Sequence, residues 1–310
     1  MSKKVVIFSC GGKMCNQLWL FANVYAYCLE KGYKCINYSF FESSTDFSDN
    51  YSKHFEVCIE NNFFKVLFSK KMERISYRLF KKKYVLKYIL HKIYIYILKI
   101  VKKKSIISAQ VKEKKMILPP TNKSHGFLST LERSRKNIYI EGWFFRNPAG
   151  LEKYHSEIVE YLKPKEYITE KINSQIRNIR EKYDHVVGVH IRRGDFPQAY
   201  VSTERIVDIL NEYLVMYKKK CEKTFFILCS DERIDMRKFE GFNIRQNSGN
   251  TVEDFFILSQ TDLVLGSNSS FSLVASYYGN IPFIICTENI DWEYYLKKNK
   301  YFENKYSVCV

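Results

Sequence analysis

The stretch His190-Ile191-Arg192-Arg193-Gly194-Asp195 closes the apolar run Val186–Ile191. If that run is a strand, alternation puts His190 and Arg192 on one face and Arg193 on the other. Gly194 then allows a sharp turn that brings Asp195 back over the strand end. An arginine so placed can grip a phosphate through two parallel charge-assisted hydrogen bonds, a geometry lysine does not reproduce. A solvated turn with an Arg–Asp ion pair fits the same spacing. A second group, Asn268-Ser269-Ser270-Phe271-Ser272, follows Thr261–Leu265 and opens the helical run Leu273-Val274-Ala275. Free backbone N–H groups, serine hydroxyls and the helix dipole at such a start favour an anion, although a serine there also serves as a plain N-cap. A third, Gly11-Gly12-Lys13-Met14-Cys15-Asn16-Gln17, is a glycine turn before the first helix. It fails the Walker pattern, which needs four residues between the first glycine and Gly-Lys-Ser/Thr. Two carboxylates complete the set: Asp231 directly after the run Phe225–Cys229 and Ser230, and Asp254 on the helical stretch before Thr261. Acidic groups at strand ends can hold ribose hydroxyls or base N–H groups, and equally can be helix caps or surface charges.

What the sequence lacks narrows the chemistry. There is no D-x-D pair to bridge a metal and a nucleotide-sugar, no G-x-S-x-G elbow for an acyl-transfer serine, and no G-x-G-x-x-G fingerprint. The nine cysteines, Cys229 and Cys286 among them, are scattered, several within apolar runs, and none forms a C-x-x-C pair. Structural zinc and thiol–disulfide chemistry are therefore not expected, and reduced thiols are.

These groups need a scaffold that ends several strands side by side. Val5–Ser9, the glycine turn, a helix over Asn16–Lys31 stopped by Gly32, and a strand over Lys34–Tyr38 make one strand–helix–strand unit. After Pro164 comes a polar helical pattern to Tyr183. Apolar runs at Val186–Ile191, Phe225–Cys229, Leu263–Leu265 and Ile281–Ile285 follow, spaced by helical segments. This alternation predicts parallel sheets. We expect an α/β protein of two Rossmann-like domains facing across a cleft, residues 1–165 and 166–310, with ligands beyond the carboxyl ends of the strands. The chain has 310 residues, 46% of them hydrophobic, with only 12 glycines and 6 prolines. That excludes pervasive disorder and collagen-like repeats.

The formal charge is +17, and +12 of it lies in residues 70–104, with eleven lysines and two arginines against one glutamate. Within an inserted basic stretch at 63–104, Leu86, Leu90, Ile93, Ile97 and Ile100 share one helical face, with lysines clustered at both ends. Such a helix can lie on an anionic membrane surface, or can be an ordinary core-facing helix in a lysine-rich chain. It does not span a bilayer, because Lys87, His91, Lys92 and Lys99 interrupt it. Ser2-Lys3-Lys4 runs straight into the first strand, without the apolar region of a signal peptide. A cytoplasmic protein is the expectation, peripheral on the inner face of the membrane if the basic helix lies on that surface. Net charge with 24 tyrosines and 23 phenylalanines also raises nucleic-acid binding, but the charge sits in one stretch that carries no recognition module.

Taken in order, Gly11-Gly12 to Leu18, His190 to Asp195, Ile227 to Asp231 and Asp254 to Ser272 resemble the α-1,2-fucosyltransferases (glycosyltransferase family 11). More loosely, they resemble the wider superfamily with α-1,6- and protein O-fucosyltransferases. The resemblance implies a GT-B fold and transfer of L-fucose from GDP-fucose to a hydroxyl, with inversion and without a metal or other cofactor. The acceptor would be galactose O2 of a cell-surface glycan or lipid-linked precursor. Arg192 would bind the pyrophosphate with Arg193 beside it, and His190 would contact the nucleotide. Ser269, Ser270 and Phe271 would line the phosphate site, Asp254 would read guanine, and Asp231 would lie on the nucleotide side. Gly12, Asn16 and Gln17 would sit near the sugar or acceptor. Asp195 would either accept the acceptor proton or hold Arg192. The family's first motif is G-G-x-G-N-Q, and Lys13-Met14-Cys15 departs from it by one added residue and one lost glycine. That departure bears on the acceptor and on the sugar, so a GT-B enzyme with another nucleotide-sugar is the alternative.

Overall fold

Val5, Val6, Ile7 and Phe8 are all buried, as a strand covered on both faces must be. They belong to β1 (Lys4–Ser9) in a computed structural model of the chain. The structure describes residues 3–10, 12–37, 93, 96, 97, 99–102, 106–109, 126–142, 144–193, 201–217, 223–247, 250–295 and 297–303. The chain divides into two compact units, residues 1–163 and 164–310.

In the first unit, β1, β2 (Lys34–Asn37), β3 (Ile106–Ala109) and β4 (Ile138–Gly142) pair in the order β2-β1-β4-β3, every pair parallel. Helix α1 (Met14–Lys31) covers the sheet and buries Leu18, Trp19, Phe21, Ala22 and Val24. It begins two residues earlier than its apolar spacing suggests, because Met14 and Cys15 are buried too. Buried Asn23 braces α1 internally and ties it to Asn147. Its Nδ2 donates to Trp19 O at 2.8 Å, and its Oδ1 accepts from Asn147 N at 2.6 Å. Helix α2 (Gly126–Arg133) precedes β4, and α3 (Pro148–Lys153) and α4 (His155–Tyr161) close the unit.

In the second unit, β5 (His185–Ile191), β6 (Thr224–Ser230), β7 (Ile244–Gln246), β8 (Leu263–Gly266) and β9 (Phe283–Ile285) form a parallel sheet of order β7-β6-β5-β8-β9. Helix α5 (Glu166–Arg180) buries Ile168, Ile172, Ile176 and Ile179, spaced by four, four and three residues, which is one helical face. Helix α6 (Thr203–Tyr217) packs Ile206, Ile209, Leu210 and Tyr213 onto Val187, Val189 and Ile191, the odd-numbered side of β5. Each such fully buried aliphatic side chain contributes about 1.5–3 kcal/mol. The even-numbered side meets α7 (Thr251–Ser259) and α8 (Ser270–Gly279): a Cβ at Gly188 would meet Leu258 of α7. A short α9 (Trp292–Tyr295) follows β9.

The fold is α/β with parallel sheets, as the alternation of runs predicts. The last apolar run pairs only from Phe283, since Ile281 closes the end of α8, its N–H donating to Ser276 O at 3.1 Å. Of the basic stretch, residues 63–92 lie outside the described residues, while 93, 96, 97 and 99–102 are helical.

Candidate active site

The order of the second sheet creates a particular place. From β5 the chain builds β6 and β7 to one side, then returns to build β8 and β9 on the other. The crevice beyond the carboxyl ends of β5 and β8 is the topological switch point, where open α/β sheets bind ligands. The two strongest groups in the sequence end these two strands. They are stitched together: Arg192 N donates to Ser267 Oγ at 3.0 Å, and Ser267 N donates to His190 O at 3.0 Å. Helix α8 starts three residues after Ser267. Ser269 is its N-cap, with Oγ accepting from Phe271 N at 3.1 Å, so one helix N–H is already met by the cap. A phosphoryl group at this helix start would meet the remaining N–H groups and the positive end of the dipole.

Arg192 is oriented from a third strand. Asp231, just past β6, lies with Oδ2 at 3.2 Å from Arg192 Nη1, and its Oδ1 accepts from Arg193 N at 2.8 Å. One carboxylate thus fixes both the guanidinium and the backbone beside it. Arg193 has a different task from the phosphate contact expected of it. It is buried and reaches the α6 side of the sheet, donating to Val201 O and, at 2.9 Å, to Thr203 Oγ1. Alternation from β5 explains the divergence, since consecutive side chains leave opposite faces. Arg193 is therefore a clamp on the segment that enters α6.

His190 is buried under the helix start. Its Nδ1 lies 2.7 Å from Ser272 Oγ, and that hydroxyl donates to Ser267 O at 3.2 Å. With the single hydroxyl proton committed to Ser267, Nδ1 carries the imidazole hydrogen. Burial, reinforced by the nearby Arg192 charge and opposed by Asp231, pushes the His190 pKa down to about 3. The ring is neutral at physiological pH. It stacks on Phe271 with centroids 4.7 Å apart, which fixes the first turn of α8. Gly266 permits this packing: a Cβ there would collide with Ser272 Oγ and lie 3.4 Å from His190 Cβ. Ser267 completes a hydrogen-bonded chain with Ser272 and His190, and it lies outside the motif that contains Ser272. Ser267 follows an apolar strand run directly, the one sequence signal that could have found it.

Beyond the ends of β6 and β7 lies a cavity of 880 Å³ lined by Ser230, Asp231, Arg233, Gln246 and Asn247, among others. Asn247 Nδ2 donates to Asp254 Oδ1 at 2.5 Å, so the buried Asp254 of α7 stands behind this wall. The volume suits a nucleobase and ribose. Asp195 lies outside the described residues. Gly12, Asn16 and Gln17 belong to the first unit. Gly12 has φ +80°, and a Cβ on it would collide with the Asn16 amide, while Gln17 Nε2 donates to Gly12 O at 3.2 Å. The turn thus holds Asn16 against the backbone as α1 begins. Among the described residues, six cysteines are free thiols. Burial raises those of Cys28 and Cys229, and pushes Cys286 up to about 12.

A parallel α/β chain with a switch point shaped for an anion is the architecture of nucleotide-binding transferases, and comparison with solved structures agrees on the fold. A single-residue variant of FUT1 from Arabidopsis thaliana, in complex with GDP, aligns over 94% of this chain and 72% of its own, with 12% identity and a TM-score of 0.57. The α-1,6-fucosyltransferase NodZ, co-crystallised with GDP, aligns over 92% and 95% at 13% identity and a TM-score of 0.49. The architecture is GT-B-like. Among curated proteins none matches the chain. The family model for glycosyl transferase family 11 matches residues 143–306. The chain belongs to glycosyl transferase family 11 and is a glycosyltransferase.

Proposed function

We propose that this enzyme transfers L-fucose from GDP-fucose to a hydroxyl group, with inversion and without a metal, the hydroxyl being galactose O2 of a glycan or lipid-linked precursor. The observation that carries the reading is the convergence of Arg192 and the start of α8 at one switch point, on strands joined by the Ser267 hydrogen bonds. FUT1 and NodZ are each described in complex with GDP, which supports a guanosine diphosphate in the equivalent fold. The base would occupy the 880 Å³ cavity, with Asn247 on its wall and Asp254 behind it.

Cleavage of the sugar–phosphate bond leaves negative charge on the diphosphate. Arg192 and the α8 N–H groups, already oriented, would meet that charge as it develops, the role a metal plays elsewhere. The acceptor hydroxyl must lose a proton as it attacks. Asp231 holds Arg192, and Asp195 is assigned to the proton. Asn16, held by the Gly12 turn, is assigned to the sugar or acceptor side.

The test is transfer from GDP-fucose to a panel of galactose-terminated acceptors with linkage analysis, with and without EDTA, alongside calorimetry with GDP, UDP and ADP. Tight GDP binding and an α-1,2 product in EDTA are expected. Preference for UDP would overturn the donor, and loss of activity in EDTA would overturn the metal-free mechanism.

A further inference from the structure

The helical residues at the end of the basic stretch leave their apolar side chains in solvent. Ile93 is 51% exposed, Tyr96 67%, Ile97 50%, Ile100 62% and Val101 63%. At 3.6 residues per turn these five fall within about 140° of one another around the axis, so they form one continuous stripe. An amphipathic helix in a globular protein normally buries such a stripe against the core. Here the opposite side is the one tied to the protein. Lys99 lies off the stripe, and its Nζ is 2.7 Å from Glu141 Oε2 at the end of β4. That ion pair holds the polar side against the carboxyl end of β4, on the side away from the isoleucines.

We propose that this face docks on an anionic lipid surface. Ile93, Ile97 and Ile100 would enter the boundary between headgroups and acyl chains, and the lysines around them would meet the headgroup charge. Two properties select this occupant. Four of its five side chains are aliphatic, which suits a hydrocarbon boundary, and Tyr96 is the single ring among them that could stack on a nucleobase. It also sits in a stretch of net charge +12, with Lys102-Lys103-Lys104 directly after it. Basic amphipathic helices with these features bind in the interfacial plane, by buried apolar area and attraction to anionic lipid together. A second copy of the chain would fit poorly, because a two-fold contact sets this charge against itself. Among the described residues no helix is long and apolar enough to cross a membrane. The proposal does not depend on which sugar is transferred.

The experiment is co-sedimentation of the full chain with phosphatidylcholine vesicles, with and without about one-third phosphatidylglycerol, at about 0.1 M and about 0.5 M salt. Binding to the anionic vesicles at low salt is expected, at least tenfold weaker on pure phosphatidylcholine and at high salt. The Ile97→Asp/Ile100→Asp double variant is expected to lose at least tenfold in binding with an unchanged unfolding midpoint, since both side chains are exposed. Lys102→Glu should weaken binding while leaving that midpoint in place. No binding to anionic vesicles would overturn the proposal, as would equal binding by the double variant. A dimer in light scattering that the double variant dissolves would assign the face to a second copy instead.

Discussion

At the scale of single residues the account turns on Arg192 and the groups that aim it. Replacing Arg192 with lysine keeps the charge and loses the planar fork. Turnover should fall about 10²–10³-fold, equivalent to about 2.7–4 kcal/mol of transition-state stabilisation, as measured by initial rates at saturating donor. An equal loss from Arg193→Lys would place that side chain in the donor site and contradict the clamp assigned to it. For His190 the prediction concerns stability. Its folded pKa of about 3 lies below the unfolded value of about 6.5, so its contribution is complete above pH 6.5 and is lost as pH falls. Denaturant melts between pH 7 and 4.5 should show a slope up to about 1.4 kcal/mol per pH unit steeper in the wild type than in His190→Gln. Identical slopes would mean that the imidazole is solvated. Arg192 was legible in the sequence because an arginine ending an apolar strand needs a reason. The partner that orients it was not. Asp195 is near in sequence, whereas Asp231 lies 39 residues from Arg192 and arrives only because β6 pairs in parallel beside β5.

At the scale of elements, the candidate donor site lies at the carboxyl end of the second sheet, and a hydrogen-bonded ion-pair network braces its amino end. Asp262, ahead of β8, accepts from Val186 N at 2.7 Å and from Arg180 at 2.8 and 3.1 Å, and lies 3.2 Å from His185 Nδ1. Burial alone would raise its pKa, but hydrogen bonds from His185, Arg180 and Val186 outweigh that and hold it well below the usual carboxylate range. Asp262→Ala should cost about 1–3 kcal/mol in denaturant melts with donor KM unchanged, because it leaves a buried N–H without its acceptor at the end remote from Arg192. Gly266→Ala should do the reverse in kind. By forcing Ser272 and His190 apart it shifts the start of α8, so donor affinity falls along with about 1–3 kcal/mol of stability. Unchanged donor affinity in Gly266→Ala would separate the helix start from the site. Long strands with apolar runs on both faces were readable from sequence. Strand β7 was not, since three residues with exposed Arg245 at a sheet edge carry no such run. Strand β4, Ile138–Gly142, hid for a similar reason: its run is short, and Glu141 interrupts it.

For the whole molecule, charge and topology divide the work. The second unit holds a sheet of Rossmann order, with helices on both faces and the candidate donor site at its switch point. The first carries the glycine turn at Gly12 and the exposed apolar helix face. The sequence revealed the parallel α/β class and the excess of charge, because both are written in composition and spacing. It could not reveal that the isoleucines of the basic stretch face outward, since the Lys99–Glu141 pair on the side away from them joins residues 42 positions apart. The central claim is that Arg192 and the first turn of α8 share one diphosphate, and a crystal structure of the chain with GDP tests it most directly. The account predicts a phosphoryl oxygen within hydrogen-bond reach of the Arg192 guanidinium and of the backbone N–H of Ser270. A diphosphate bound elsewhere, or touching only one of the two, would contradict it.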